Sequence, residues 1–171
     1  LSLNIDSVAG PDGFTNKFFM FYWDIVHYDV TNVVRDFYRS SFMPFGMNSN
    51  FISLILKKDS ALDIKYFQPV AIGNTIPKVI SKIMTQRLGE IAKGLISSNQ
   101  FGFVPGQNIQ NCLFTTSECV NAMKRRPKFG NMDLNIDISK AFDTIRWGLL
   151  FRIIQMYGFL HKFIGLVGSI L

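Results

Sequence analysis

Polar and apolar side chains alternate strictly from residue 132 to 138, and this segment carries the residue types best suited to chemistry. Successive side chains of an extended chain point to opposite faces, so Asp133, Asn135 and Asp137 share one face. Two carboxylates and an amide on one strand face are costly to bury without a cation or hydrogen-bond donors. The pattern allows two interpretations, a solvated face of a half-exposed sheet or a metal site. The opposite face is expected in the core and carries Met132, Leu134, Ile136 and Ile138.

The calcium loop of an EF-hand is one metal site against which this segment can be tested. Asp133, Asn135 and Asp137 match the first ligand positions of that loop. The loop also needs glycine at its sixth position and a bidentate glutamate at its twelfth. This sequence has Ile138 and Thr144 at those positions, so an EF-hand is excluded.

The elements that must position this segment follow from hydrophobic spacing. Thr75 followed by Pro77 is typical of a helix start. Helices outnumber strands and flank at least one of them, so the predicted fold class is α+β or mixed α/β. Apolar residues at helical spacing predict helices within residues 14–25, 30–38, 76–88, 109–123 and 145–156, whereas residues 51–56, 68–70 and 132–138 are predicted to be extended.

Composition limits the classes of protein to consider. A chain of 171 residues with 48% hydrophobic and 18% charged residues is neither a disordered tail nor a long solvated coiled coil. Its net charge of +6 favours an anionic partner. Cys112 and Cys119 are too few for a disulfide framework, which favours a reducing intracellular compartment. No apolar run approaches the roughly 20 residues that a membrane span needs, so no membrane partner is expected.

The residues after the alternating segment carry a family resemblance. Asp137-Ile138-Ser139-Lys140-Ala141-Phe142-Asp143 resembles motif A of reverse transcriptases, most closely that of LINE-type (non-LTR) retrotransposons of plant-like lineage. Five further blocks resemble segments of the same family in the same order, at residues 9–14, 52–58, 67–70, 78–83 and 99–106. The chain is therefore identified as a member of this family, as an N-terminal fragment of the reverse transcriptase domain.

The resemblance implies an incomplete right-hand polymerase fold over residues 1–171, α+β and helix-rich with a small sheet. About residues 1–130 would form the fingers and the helices that enter the palm, and about residues 131–171 the motif A strand and the following palm helices. The family's second catalytic block, an aromatic-Ala-Asp-Asp hairpin, is expected beyond residue 171, so this fragment is expected to be inactive.

The resemblance also assigns site residues. Asp137 would be the catalytic ligand of Mg²⁺ (or Mn²⁺), assisted by the Ile138 carbonyl, and Phe142 would be an aromatic gate that excludes a ribose 2′-hydroxyl. Core packing is the alternative role for Phe142, and solvated helix faces are the alternative for the basic residues. The residues expected at the nucleotide are Lys57, Lys58 and Gln68, and those expected at nucleic acid are Lys78, Lys82, Arg87 and Gln107.

Four positions depart from the family in ways that matter physically. Gln68 and Gln107 stand where the family usually has arginine, Asn135 where it has lysine, and Leu56 where it has proline. Glutamine has no charge and no guanidinium fork for a triphosphate. Three of the four departures remove positive charge near the expected substrate, which leads to the hypothesis of a decayed copy with poor or no polymerase activity.

Two functions of different classes follow. The first is a partial RNA-directed DNA polymerase, whose partners are an RNA template, a DNA primer, deoxynucleoside triphosphates, the remainder of the polymerase and an endonuclease domain. The second is a non-catalytic retrotransposon remnant that at most binds nucleic acid through its basic face. The family resemblance places either one in the nucleus, although no targeting sequence is visible.

Overall fold

The computed structural model describes residues 3–59, 62–104, 106–124, 132–138 and 144–171, the side chain of Lys93 excepted. Helices dominate these ranges, with one small antiparallel sheet, which agrees with an α+β class. The helices are α1 (Asn16–Phe21), α2 (Trp23–Ser40), α3 (Thr75–Leu95), α4 (Ile109–Lys124), α5 (Trp147–Met156) and α6 (His161–Ile170), and the strands are β1 (Asn50–Leu56) and β2 (Phe67–Gly73). No helix in these ranges has the length and apolar character to cross a bilayer.

The chain divides into two compact units. One comprises residues 1–85 and 159–171, and the other comprises residues 86–158. The first unit therefore contains α1, α2, the sheet, the first half of α3 (residues 75–85) and α6. The second contains the rest of α3 together with α4 and α5.

Three helices supply the core of the first unit. Phe37 of α2, Ile80 and Met84 of α3, and Leu166 of α6 form one buried cluster, in which Ile80 is completely buried. The predicted apolar faces of residues 30–38 and 76–88 thus pack against each other and against the last helix. The cluster therefore holds one side of the first half of α3 in place. Partly buried residues that pack on the cluster are Val34, Tyr38, Met43, Ile76, Phe163, Val167 and Ile170.

The predicted helices are confirmed, and their ends have local causes. The side chain of Thr15 accepts a hydrogen bond from the Phe18 amide and caps α1. The first apolar run is divided at Tyr22, where α1 ends and α2 begins. Gly158 follows α5 with φ +82°, a conformation that favours glycine, and it ends the helix as predicted.

The sheet is a two-stranded antiparallel ribbon. Asn50 pairs with Gly73 and Leu56 with Phe67, so both predicted extended segments, 51–56 and 68–70, are confirmed. Every residue of β1 is exposed, including Phe51 and Ile52. The ribbon therefore presents apolar side chains to solvent on both faces.

The prediction of a strand at residues 132–138 is wrong. The structure gives this segment no regular secondary structure, and its four apolar side chains are 67–83% exposed rather than buried in the core. A strand needs a neighbour to accept and donate its backbone hydrogen bonds, and no described residue pairs with this segment. Alternation predicted a buried face and a polar face, but it could not supply the partner strand that pairing needs. The residues that were expected in the core but are exposed are Met132, Leu134, Ile136 and Ile138.

Candidate functional site

The open end of the ribbon brings together the residues expected at a nucleotide. Leu56 pairs with Phe67 and Ile55 with Gln68. One residue beyond the strand, the Lys57 amide donates to the Tyr66 carbonyl at 2.8 Å, so pairing continues to that position. Paired residues share a face of a sheet, and alternation puts Lys57 on the face of Ile55 and Gln68. Lys57, Lys58 and Gln68 are all exposed at this end.

Further charges surround the same end of the ribbon. The Lys58 ammonium lies 5.5 Å from the centroid of the Tyr66 ring, and the Lys65 ammonium lies 4.9 Å from it. Lys65 also forms an ion pair with Asp63, with 2.7 Å between Nζ and Oδ2. The Lys65 side chain, and then its backbone N–H, hold the pKa of the Asp63 carboxyl below its ordinary value. Asp63 thereby neutralises one of the three lysines and leaves Lys57 and Lys58 without an ion pair to a described residue.

The residues expected at nucleic acid do not form a single patch. Lys78 and Lys82 are half-buried and one helical turn apart on α3, where they line a cleft of about 410 Å³. Arg87 lies on the same helix, but nine residues after Lys78, which is half a turn away around the helix axis. Gln107 is exposed just before α4. Lys78 and Lys82 are thus the pair that the structure brings together.

The expected metal ligand lies in the segment without regular structure. Asp137 and Ile138 are exposed, whereas Phe142 lies outside the described residues. Mg²⁺ takes carboxylate and carbonyl oxygens and fills the rest of its octahedron with water or phosphate oxygens, so an exposed carboxylate followed by a carbonyl is a suitable donor set. Within the described ranges no three His, Cys, Asp or Glu side chains cluster as a metal site. The Asp137 carboxylate is a ligand type that Mg²⁺ binds, but it belongs to no such cluster among the described residues.

The buried polar network that positions α3 was not predicted from the sequence. The Asn74 side chain is 5% exposed and immediately precedes α3. It accepts from the Asp12 amide at 3.1 Å and donates to the Met47 carbonyl at 2.9 Å. A Cβ at Gly10 would overlap the Asn74 side chain, so this close approach requires glycine. Asparagine directly before Thr75 was the available signal, since it is typical of a helix N-cap.

The network extends to α1 through two more side chains. The Thr75 hydroxyl donates to the Asn16 side-chain oxygen at 2.9 Å, and the Asn16 amide donates to the Asn4 carbonyl at 2.8 Å. Both Asn16 and Thr75 are buried. Residues 9–14, which resemble the family's first block, therefore contact the start of the helix that carries Lys78 and Lys82.

Comparison with known proteins defines the class of this chain. The family model described as reverse transcriptase (RNA-dependent DNA polymerase) matches residues 55–170, which is more than half of the chain. The chain belongs to the reverse transcriptase family. The matched range contains β2 and helices α3 to α6, together with the cleft lysines and Asp137.

Two relatives show where in that family the chain lies. It is 30% identical over 156 residues to the Transposon TX1 uncharacterized 149 kDa protein of Xenopus laevis, which covers 91% of this chain and 12% of that protein. It is 28% identical over 89 residues to the COX1/OXI3 intron 2 protein of Saccharomyces cerevisiae, covering 52% of this chain and 10% of that protein. The chain thus spans about a tenth of the length of each relative. The predicted assignment to a LINE-type (non-LTR) reverse transcriptase domain is confirmed, and the plant-like lineage stays a prediction.

Proposed function

We propose that this chain is part of an RNA-directed DNA polymerase that transfers nucleotides to a primer 3′-end. Its substrates would be an RNA template, a DNA primer and deoxynucleoside triphosphates. We also propose that the protein acts in the nucleus and that the full-length element carries an endonuclease domain. The observation that carries it is the register of the β1–β2 ribbon. That register joins Lys57, Lys58 and Gln68 at one end of the sheet, although eleven positions separate the first from the last.

In this proposal Asp137 is the catalytic carboxylate and, with the Ile138 carbonyl, would hold Mg²⁺ or Mn²⁺. The ion would activate the primer hydroxyl and neutralise triphosphate charge. The ring of Phe142 would exclude a nucleotide that carries a ribose 2′-hydroxyl. Lys57 and Lys58 would attract the triphosphate, and Gln68 would contact it only through neutral hydrogen bonds. Arg87 and Gln107 would contact nucleic acid separately from the lysine pair of α3.

The nucleotide site is tested by restoring charge at position 68. Gln68→Arg adds a charged donor, and a hydrogen bond to a charged group contributes about 1.5–3 kcal/mol. We expect binding of a fluorescent deoxynucleoside triphosphate with Mg²⁺ to tighten by roughly tenfold. Lys57→Gln combined with Lys58→Gln should weaken binding. Gln155→Arg, which adds the same charge on the exposed side of α5, is the matched control, and an equal gain there would refute the proposed site.

The 171 residues contain no adjacent pair of aspartates, and we infer that they do not extend a primer by themselves. The alternative function, a non-catalytic remnant that binds nucleic acid through its basic face, is supported by the neutral residues at positions 68, 107 and 135. Primer extension with Mg²⁺ should be undetectable for the 171-residue chain. Extension that disappears in Asp137→Ala would contradict this inference.

A further inference from the structure

We propose that the outer edge of β1 pairs with β1 of a second copy of the chain, which gives a four-stranded antiparallel sheet. The proposal does not rest on the proposed function, because it uses backbone groups of the strand rather than the lysines or Asp137. Every residue of β1 is exposed, and the sheet in the described part of the chain has only two strands. One edge of β1 is therefore unpaired among the described residues.

The pairing of Lys57 shows which backbone groups of β1 face outwards. Its amide donates to the carbonyl of Tyr66, the residue directly opposite, so these two residues form a hydrogen-bonded pair. Such pairs alternate with non-hydrogen-bonded pairs along an antiparallel ladder. The register therefore makes Ile52, Leu54 and Leu56 members of non-hydrogen-bonded pairs, and their N–H and C=O groups point away from β2. No described residue forms a hydrogen bond with these groups.

The two outer edges of the ribbon differ in their capacity to pair. Pro69 lies opposite Leu54 in the middle of β2, and proline has no N–H to donate. By the same alternation its nitrogen points to the outer edge of β2, where it disfavours a further strand. β1 has neither proline nor a charged residue over Asn50–Leu56, and these are features that usually protect an edge. The edge of β1 is thus the one available for pairing.

The sequence of β1 favours a second copy of the same strand as its partner. Antiparallel pairing about a two-fold axis at Ser53 uses the whole strand. It sets Ile52 opposite Leu54, and Phe51 opposite Ile55, across the axis. Ser53 then faces itself, and paired hydroxyl side chains can form a hydrogen bond across two strands. Only the end residues of the strand place a polar side chain opposite an apolar one.

Charge and closure also favour an antiparallel dimer. Lys57 and Lys58 directly follow β1, and parallel pairing would set the like charges of the two copies side by side, which is destabilising. Antiparallel pairing separates the two Lys57 residues by about 27 Å along the ladder. Both outer edges of the four-stranded sheet would then belong to β2 and contain Pro69. The association therefore stops at two copies, as a two-fold interface requires.

The paired surface is small, and its size sets the strength of the dimer. Seven residues of each copy take part, whereas a standard interface uses about 20–30 residues a side. We expect a weak dimer, which sedimentation equilibrium can measure at chain concentrations from about 1 to about 500 µM. The average mass should rise from 19.5 kDa towards twice that value and no further.

Proline on either edge of the ribbon tests which edge pairs. Leu54→Pro removes an outward N–H without removing a hydrogen bond to β2. It should raise the dissociation constant of the dimer at least about tenfold, because one hydrogen bond is lost in each copy. Ala71→Pro is the matched control, since it removes an outward N–H from β2 and should change the constant by less than about twofold. If circular dichroism shows that Leu54→Pro is unfolded, Leu54→Lys with Ala71→Lys as its control decides the test.

Cross-linking tests the register of the two strands. In the proposed dimer the two Ser53 residues form a non-hydrogen-bonded pair with Cα atoms about 4.5 Å apart, a separation that a disulfide can bridge. With Cys112 and Cys119 replaced by serine, Ser53→Cys should form a disulfide-linked dimer in oxidised glutathione. Ile55→Cys is the control, because the two copies of that residue would lie about 14 Å apart along the ladder and should not cross-link.

Several outcomes would overturn the proposal. A single 19.5 kDa species at all concentrations would do so, and so would species larger than a dimer, because Pro69 should end the sheet. Equal weakening by Leu54→Pro and Ala71→Pro would mean that another surface associates. Loss of the dimer in Leu54→Pro without a cross-link in Ser53→Cys would mean that β1 pairs with a different segment of the second copy. The expected result is a dimer that Leu54→Pro weakens, Ala71→Pro spares and Ser53→Cys traps.

Discussion

Single buried side chains determine where α3 begins. Asn74 uses both ends of its amide, accepting from Asp12 and donating to Met47, and Thr75 bonds to Asn16. The contacts with Asp12 and Asn16 join segments that are about 60 residues apart in the chain, and the contact with Met47 joins segments that are 27 residues apart. Because a buried polar group without a partner costs more than a hydrogen bond gains, the three side chains depend on one another. This network gives residues 9–14 a structural role beneath the cleft.

Asn74→Ala should lower the free energy of unfolding by about 1–3 kcal/mol, because the Asp12 amide and the Met47 carbonyl would lose a partner in partly buried hydrogen bonds. Urea denaturation measures the change. Asn111→Ala is the matched control, since Asn111 is exposed on α4 and its replacement should change stability by less than about 0.5 kcal/mol. Equal effects of the two substitutions would contradict the role of Asn74.

The ion pair of Asp63 and Lys65 makes a prediction about pH. The lysine side chain and its backbone N–H lower the pKa of the Asp63 carboxyl in the folded chain. A lowered pKa stabilises the fold at pH values above the ordinary carboxyl range, and this contribution is lost as the pH falls through the lowered pKa. Lys65→Gln should therefore raise the midpoint of the Asp63 titration in NMR spectra. Lys58→Gln, which removes the other ammonium near Tyr66, should leave it unchanged, and a shift of equal size would contradict the assignment.

At the scale of elements, a sequence pattern forms regular structure where a second segment of the chain pairs with it or packs against it. Residues 51–56 and 67–73 pair because a short connection brings them together, and every predicted helix with a wide apolar face formed. Residues 132–138 have the clearer alternation, yet they form no strand in the described structure. A local pattern could predict the helices, the ribbon and the start at Thr75. It could not predict pairing that depends on another segment, nor the contact between Asp12 and Asn74.

Hydrogen exchange distinguishes these two segments directly. Amides of the paired residues of β1 and β2 should be protected, whereas those of residues 132–138 should exchange at rates close to those of an unstructured peptide. The physical reason is that the latter amides have no strand partner among the described residues. Protection of residues 132–138 equal to that of α3 would mean that the segment is paired after all.

Helix α6 contributes one buried leucine to the core of the first unit, and partly buried residues of the same helix pack on the cluster beside it. Leu166 is 5% exposed and contacts the cluster that contains Phe37 and Ile80. Leu166→Ala should lower the free energy of unfolding by about 2–5 kcal/mol, as measured by urea denaturation. Leu160→Ala is the control, because Leu160 is 78% exposed just before the helix. An equal loss of unfolding free energy in Leu160→Ala would contradict the claim that Leu166 stabilises the fold through this cluster.

At the scale of the molecule, membership in the reverse transcriptase family was predictable, but the assembled site was not. Six short blocks in the right order identified the family, and the match over residues 55–170 agrees with them. The site needs groups from distant segments, and the sequence alone did not indicate that Lys78 and Lys82 share a cleft while Arg87 lies elsewhere on α3. The net charge of +6 predicted an anionic partner without locating it.

The most direct measurement is paramagnetic broadening of NMR signals by Mn²⁺ added with a deoxynucleoside triphosphate. If Asp137 is the metal ligand, signals of residues 136–138 should broaden first, and Asp137→Asn should abolish the effect. Asp133→Asn removes a similarly exposed carboxylate from the same segment and should leave the broadening in place. Equal losses in the two variants, or broadening that spares residue 137, would contradict the assignment of Asp137 as the metal ligand.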